Sequence, residues 1–344
     1  VQPLSIISYG MVTGVGLNAP ASCAAIRCGI NNFRETRFMD KGGEWIIGSE
    51  VPLGQPWRGR MKLVRLIVPA IRECLAVPDN FETEKTPLIL CVSEKTRPGR
   101  LEGLDDRLMD EVQDELGMRF HERSEVISNG RTGGVEALKH AMALFNRGEA
   151  SCCIVAGVDT FLVGSTLSAY EERERLFTSR NSNGFIPGEA GAAVLVCPGM
   201  RYTGTGMSVV GIGFGREEAT VGSDVPLRAD GLVQAIKEAL SSSGLTMVEL
   251  DYRITDINGE QYGFKEASLA MTRILREFKE DFDFWHPPDC IGEVGAASVP
   301  AVLNVAAAAS QKAYGPGDNV LCHFGNDDGE RAAVILKYNG NKAR

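Results

Sequence analysis

The chain has 344 residues, 44% of them hydrophobic and 24% charged, with 39 glycines and a net charge of −9. That length allows one large domain or two ordinary ones, and the composition excludes a disordered or fibrous chain in favour of a turn-rich α/β protein. The acidic balance provides no broad basic face for nucleic acid.

The opening Leu4–Gly16 reads as a β-branched strand running into a glycine-rich turn, and Pro20–Arg27 as a helix with proline tolerated in its first turn. The spacing of Gly10, Gly14 and Gly16 does not fit a dinucleotide fingerprint. Arg60–Leu75 has its apolar residues near helical period, whereas Leu88–Val92 is a continuous apolar strand. The basic residues Arg58, Arg60, Lys62 and Arg65 read as a solvated helix face, or as a surface meeting an acidic partner such as a carrier protein. Thr132–Phe145 buries Val135, Leu138, Met142 and Phe145 on one helical face, and Cys152–Val158 and Ala192–Val196 are short runs suited to strands covered on both sides. Pro198–Gly206, rich in Gly and Thr, is the expected link between two halves, 1–198 and 206–344. Beyond it a strand (Val209–Phe214), a helix (Gly231–Ser241) and a strand (Ile254–Ile257) repeat the α/β order.

Nine cysteines occur without CxxC or metal-ligand spacing, most of them in apolar runs, and read as reduced core residues. No apolar run of about 18 residues and no basic-then-apolar N-terminal segment is present. The expectation is therefore a cytoplasmic protein without membrane span, metal or cofactor.

Five motifs carry a resemblance. They are the opening strand and turn, Ile127–Leu138 (ISNGRTGGVEAL), Gly184–Val196 (GFIPGEAGAAVLV), Ile257–Gly263 (INGEQYG) with Ile291–Ser298 (IGEVGAAS), and Cys322–Gly329 (CHFGNDDG). In this order they resemble the β-ketoacyl synthase branch of the thiolase superfamily, from Leu4 to about Val334. The resemblance implies an α/β thiolase fold, a five-layered αβαβα sandwich of two similar halves, and usually a homodimer. It also implies a site in which a cysteine at a helix start accepts an acyl group while two histidines support decarboxylative condensation.

In this sequence those positions differ. Arg131 stands for the cysteine, Glu260 for the first histidine, and Glu293 (or Gly292, one residue away) for the second. Asn326 stands for the phenylalanine that gates acyl entry, with two carboxylates directly after it. His323 is the one imidazole near the inferred site, and it reads as structural before functional. Glu189 reads as an architectural residue near the site floor that needs partners if buried. A guanidinium stays protonated and cannot attack a thioester. If the fold holds, Arg131, Glu260 and Glu293 are expected to meet as an internal ion cluster.

Three functions follow. The first is a non-catalytic partner or scaffold, a homodimer or a heterodimer with a synthase-like protein, which binds another synthase or an acyl carrier protein. The second is an enzyme of another class, with Arg131 anchoring an anionic substrate and Glu260 or Glu293 as acid and base. The third is an active 3-oxoacyl synthase whose nucleophile is misplaced; Ser128 and Thr132 lie close but lack an obvious base.

Overall fold

The computed structural model describes residues 3–76, 82–199 and 206–340. The first half comprises β1 (Leu4–Thr13), α1 (Ala19–Arg27), the hairpin β2 (Arg34–Met39) and β3 (Trp45–Gly48), α2 (Gly59–Cys74), β4 (Leu88–Cys91), α3 (Leu108–Leu116), β5 (Glu125–Ile127), α4 (Gly133–Asn146), β6 (Cys153–Thr160), α5 (Gly164–Glu172) and β7 (Glu189–Pro198). The second comprises β8 (Gly206–Arg216), α6 (Asp230–Ser243), β9 (Tyr252–Thr255), α7 (Gln261–Ile274), β10 (Asp283–Trp285), α8 (Pro288–Ile291), α9 (Ser298–Gln311), β11 (Asn319–Gly325) and β12 (Glu330–Asn339).

The ten strands outside the small hairpin form one hydrogen-bonded order, β10-β9-β11-β12-β8-β1-β7-β6-β4-β5. Its two arms are alike. β1 runs antiparallel to β7 and β7 to β6, and β6, β4 and β5 are then parallel; β8, β12, β11, β9 and β10 repeat that pattern. Among the named strands of the described residues, the arms join where Leu4–Ile6 pairs with Met207–Val209.

Successive strand residues point to opposite faces, which separates the core into layers. On the outer face of the first arm Leu88, Leu90 and Ile154 pack under α2 and α3, through Leu63, Leu66 and Val112. On the inner face Ile89 and Val155 pack on α4 and α9, and the same cluster continues to Ile254, Cys322 and Val334 of the second arm. Leu321 and Ile335 then cover α6 and α7 on the far side. The result is the five-layered α/β sandwich of two similar halves.

Several element limits differ from the sequence reading. β1 continues through Gly10, because a Cβ there would lie 2.1 Å from the Ala70 carbonyl of α2; this glycine admits a passing helix and is not a turn residue. β9 lies two residues earlier than Ile254–Ile257, and Asp256, Ile257 and Asn258 leave the strand to enter the site described below. α9 was not legible, since twelve of its fourteen residues are buried and a helix apolar all round has no periodic signal. The expected basic face on α2 is only partly solvated: Lys62 is buried against Glu189 and Glu50, and Arg60 pairs with Glu111. The division at 198 and 206 is retained as a proposal; residues 200–205 of the expected link lie outside the described residues.

Candidate functional site

Two turns build the floor of the site. Gly130–Thr132 precedes α4 and Gly295–Ala297 precedes α9, and each begins with a glycine at φ +52°. Neither tolerates a Cβ: one at Gly130 would lie 2.4 Å from Glu94 Oε2, and one at Gly295 would lie 2.0 Å from Asp159 Oδ2. The first turn points Arg131 inward from the start of α4, with 15% of its side chain exposed.

Arg131 Nη1 donates to Glu293 Oε2 at 3.1 Å and Nη2 to Asp327 Oδ1 at 2.6 Å, while Nε lies 3.9 Å from Asp256 Oδ2. The expected pairing with Glu293 is thus present. Glu293 also accepts from Asn258 Nδ2 at 2.6 Å and from the Gly295 N–H at 2.9 Å. Its neighbour Gly292, at φ +71°, packs against the Gly188 backbone.

The expected pairing of Arg131 with Glu260 does not occur. Glu260 lies just before α7 and is held bidentately by Arg175, through Nε at 2.8 Å and Nη2 at 2.7 Å. Arg175 also donates to Asp327 Oδ2 at 2.6 Å, so Asp327 links the two arginines and additionally accepts from the Tyr170 hydroxyl at 3.0 Å. Beside this pair, Arg97 is held by Glu94 at 2.6 Å and by Asp159 at 3.2 Å. The inferred triad is in fact part of a cluster of three arginines and six carboxylates.

The excess of carboxylates has consequences. Burial, reinforced by Glu293, raises Asp256 to a pKa of about 7 although Arg131 opposes the shift. Burial also raises Asp159, against the pull of Arg97. Asp327 behaves oppositely: burial disfavours its charge, yet Arg131 and Arg175 hold its carboxyl well below the usual range. Arg131 itself is desolvated, but Glu293, Asp327 and Asp256 hold it well above the usual guanidinium value, so it remains a cation.

His323 is buried in β11, with Nδ1 3.3 Å from Thr255 Oγ1 and no hydrogen bond to Nε2. Burial, with Arg253 and Arg331, lowers its pKa to about 3, which makes it a neutral imidazole. It lines a cavity of about 50 Å³ together with Arg131, Arg175, Asp256 and Glu260. That space admits water but no acyl chain. Asn326 donates to the Asn129 carbonyl at 2.8 Å and to Thr132 Oγ1 at 2.7 Å, tying the β11–β12 turn to the Arg131 turn.

Glu189 finds the partners that its burial requires. Lys62 Nζ lies 2.8 Å from Oε2, Thr160 Oγ1 donates to the same oxygen at 2.7 Å, and the Val51 N–H donates to Oε1 at 3.0 Å. The two hydroxyls considered as nucleophiles do have carboxylate neighbours. Ser128 bonds to Asp105, and Thr132 Oγ1 lies 3.1 Å from Glu330 Oε2, but Thr132 is 1% exposed. Cys91, at the end of β4 and close in space to the start of α4, is fully buried and pushed above the normal thiol range by desolvation.

Asp256, Asp327 and Arg175 were not singled out from sequence. Their signals were present: Asp256 ends an apolar strand, Asp327 is one of the two carboxylates after Asn326, and Arg175 directly precedes the Leu176–Arg180 segment.

No protein-family model matches the chain, and a comparison with curated protein sequences finds no match. Solved structures do match over nearly the whole length, and they define the class as a ketosynthase-type, thiolase-like α/β fold. One is a ketosynthase in complex with its chain length factor from Xenorhabdus doucetiae, at TM-score 0.74 and 15% identity, covering 98% of each chain. The ishigamide ketosynthase/chain length factor matches at TM-score 0.78 and 14% identity, over 98% of this chain and 100% of that one. A type II polyketide synthase acyl-carrier protein in complex with its hexaketide-bound ketosynthase matches at TM-score 0.79 and 12% identity, over 98% and 99%.

Proposed function

We propose that this chain is a ketosynthase-like protein that does not catalyse decarboxylative condensation and serves as the non-catalytic partner of another synthase-like chain. The observation that carries this reading is the state of Arg131. It occupies the position of the nucleophile in the resemblance, both its terminal nitrogens are bound by Glu293 and Asp327, and about 50 Å³ of space remains beside it. The histidine positions of the resemblance, Glu260 and Glu293, are likewise consumed by ion pairs. An arginine saturated by internal carboxylates is a poor anchor for an anionic substrate, which counts against the second enzyme reading. Burial of Thr132 counts against it as a nucleophile, and the misplaced-nucleophile reading is left with Ser128, half-buried and bonded to Asp105 and Arg100.

The partners in this reading are a ketosynthase and an acyl carrier protein, in keeping with the complexes in which the structural neighbours occur. The sheet ends at β5 on one side and β10 on the other, and in this reading a second chain, of this sequence or another, adds a strand at the free side of β5. A cytoplasmic location belongs to the same proposal; no helix among the described residues is long and apolar enough to cross a membrane.

The test is acyl loading. The purified protein is incubated with acyl and malonyl thioesters, alone and as Arg131→Cys, and followed by intact mass and product analysis. No adduct and no condensation product are expected from either form. A covalent acyl adduct on the parent chain, or condensation by Arg131→Cys, contradicts the proposal.

A further inference from the structure

A second cavity of about 450 Å³ lies away from the ion cluster and shares no lining residue with it. It opens to solvent and is lined by the C-terminal end of α1, by β10, by the segment from His286 to Cys290, and by α9 and the residues after it. Its volume lies within the roughly 300–1,000 Å³ typical of small-molecule sites, whereas the cavity beside Arg131 falls far below it.

The walls are aromatic and ordered. Trp285 and Tyr314 are stacked at 6.3 Å, the Arg27 guanidinium lies 4.3 Å from the Tyr314 centroid, and the buried Tyr252 backs Trp285 from behind at 4.8 Å between ring centroids. Val305 and Cys290 complete the apolar surface. Three polar groups face a different problem. Arg27 is exposed at the end of α1 and has no ion pair among the described residues. The Tyr314 hydroxyl is buried without a hydrogen bond. His286 Nδ1 lies 2.9 Å from Asp289 Oδ1 without hydrogen-bonding geometry, and Asp289 makes no ion pair with Arg27.

We propose that this cavity binds a small carboxylic acid with a flat or short apolar body. The body lies against Trp285, Tyr314 and Val305, and the carboxylate is held by Arg27. An unpaired guanidinium on an aromatic face presents its donor edge to a planar anion, and the Tyr314 ring beneath it supplies apolar surface for the body of the ligand. Among the described residues Arg27 has no carboxylate partner, which sets this site apart from the arginines of the ion cluster, all of which are paired internally.

Phenylacetate and octanoate serve as probes, with phenylacetamide as the neutral control, and binding is followed by Trp285 fluorescence in a variant whose other two tryptophans are phenylalanine, and by protein-observed NMR. Phenylacetate is expected to perturb Trp285 and to bind about tenfold more tightly than phenylacetamide. Arg27→Gln, at an exposed position, is expected to remove that tenfold preference while leaving the melting temperature unchanged. Val305→Phe, which fills the cavity, is expected to abolish binding of both acids. The proposal is overturned if neither acid binds the parent at millimolar concentration, or if Arg27→Gln retains the preference for the anion. Both outcomes are independent of acyl loading at Arg131, so failure here leaves the proposed function standing and the reverse also holds.

Discussion

Arg131 holds two carboxylates in place, and its removal affects them unequally. Asp327 retains Arg175, whereas Glu293 loses its cation and keeps only Asn258 and the Gly295 N–H. Arg131→Ala is expected to cost about 3–5 kcal/mol in urea unfolding, because a buried charge is stranded. Adding Glu293→Gln to that variant should recover part of the loss; an unchanged midpoint in the single variant would contradict the ion-cluster description. Two further groups govern pH dependence in opposite directions. His323 has a folded pKa of about 3, below its unfolded value, so as pH falls from about 6.5 the unfolded chain takes up a proton that the folded chain refuses, and stability is lost. Asp256 has a folded pKa of about 7, above its unfolded value, so between about pH 4 and 7 the folded chain keeps a proton that the unfolded chain has released, and stability is lost as pH rises. Each slope reaches at most about 1.4 kcal/mol per pH unit, and between pH 4.5 and 6.5 they offset one another. Asp256→Asn should therefore lose stability more steeply than the parent on going from pH 6.5 to 4.5, and His323→Gln should gain stability over the same change. Urea midpoints at half-unit intervals decide this; a variant that keeps the parent's slope refutes the assignment of that group.

At the scale of elements, the parts with a periodic or bounded signal were legible and the rest were not. α2, α4 and α6 expose one face, so their apolar spacing located them to within a residue or two. α9 is covered on all sides and gave no period, and β10, three residues long, gave no run. In the site, Arg131 and Glu293 were legible because motif order fixes each on its own turn. The partner of Glu260 was not, because Arg175 lies 85 residues away in sequence and reaches it through tertiary packing alone. Gly10 shows how such packing overrides a local reading. It lies mid-strand, where the sequence suggests a turn, and α2 crosses so closely that the Ala70 carbonyl occupies the space of a side chain. Gly10→Ala is therefore expected to destabilise by about 1–3 kcal/mol through forced separation of α2 from β1. Gly54→Ala, where a Cβ meets nothing within 4 Å, should stay within about 0.5 kcal/mol of the parent. Equal effects in thermal and urea unfolding would show that helix-strand proximity is not the reason for glycine at position 10.

For the whole molecule, the two arms are alike in topology but do not own separate cores. The central cluster contains Val155 and Val194 from the first arm, Cys322 and Val334 from the second, and α4 and α9 between them. The ion cluster crosses the same plane, since Arg131 and Arg175 belong to the first half and Asp256, Glu260, Glu293 and Asp327 to the second. Opening one half would expose the inner layer of the other and strand buried charges on both sides. A chain of this size often unfolds through intermediates, but here the shared layer couples the halves. The tryptophans allow a direct measurement: Trp57 reports on the first half, where it stacks with Arg65, and Trp285 on the second, where it packs on Tyr252. Variants that keep only Trp57 or only Trp285 should give coincident urea transitions, both matching the loss of far-ultraviolet circular dichroism. Arg131→Ala weakens the contact between the halves, so the two reporters should separate in that background if coupling runs through the ion cluster. If they remain coincident there, the apolar layer of α4 and α9 alone holds the halves together. Separate transitions in the parent would show that 1–198 and 206–344 behave as independent domains despite the core they share.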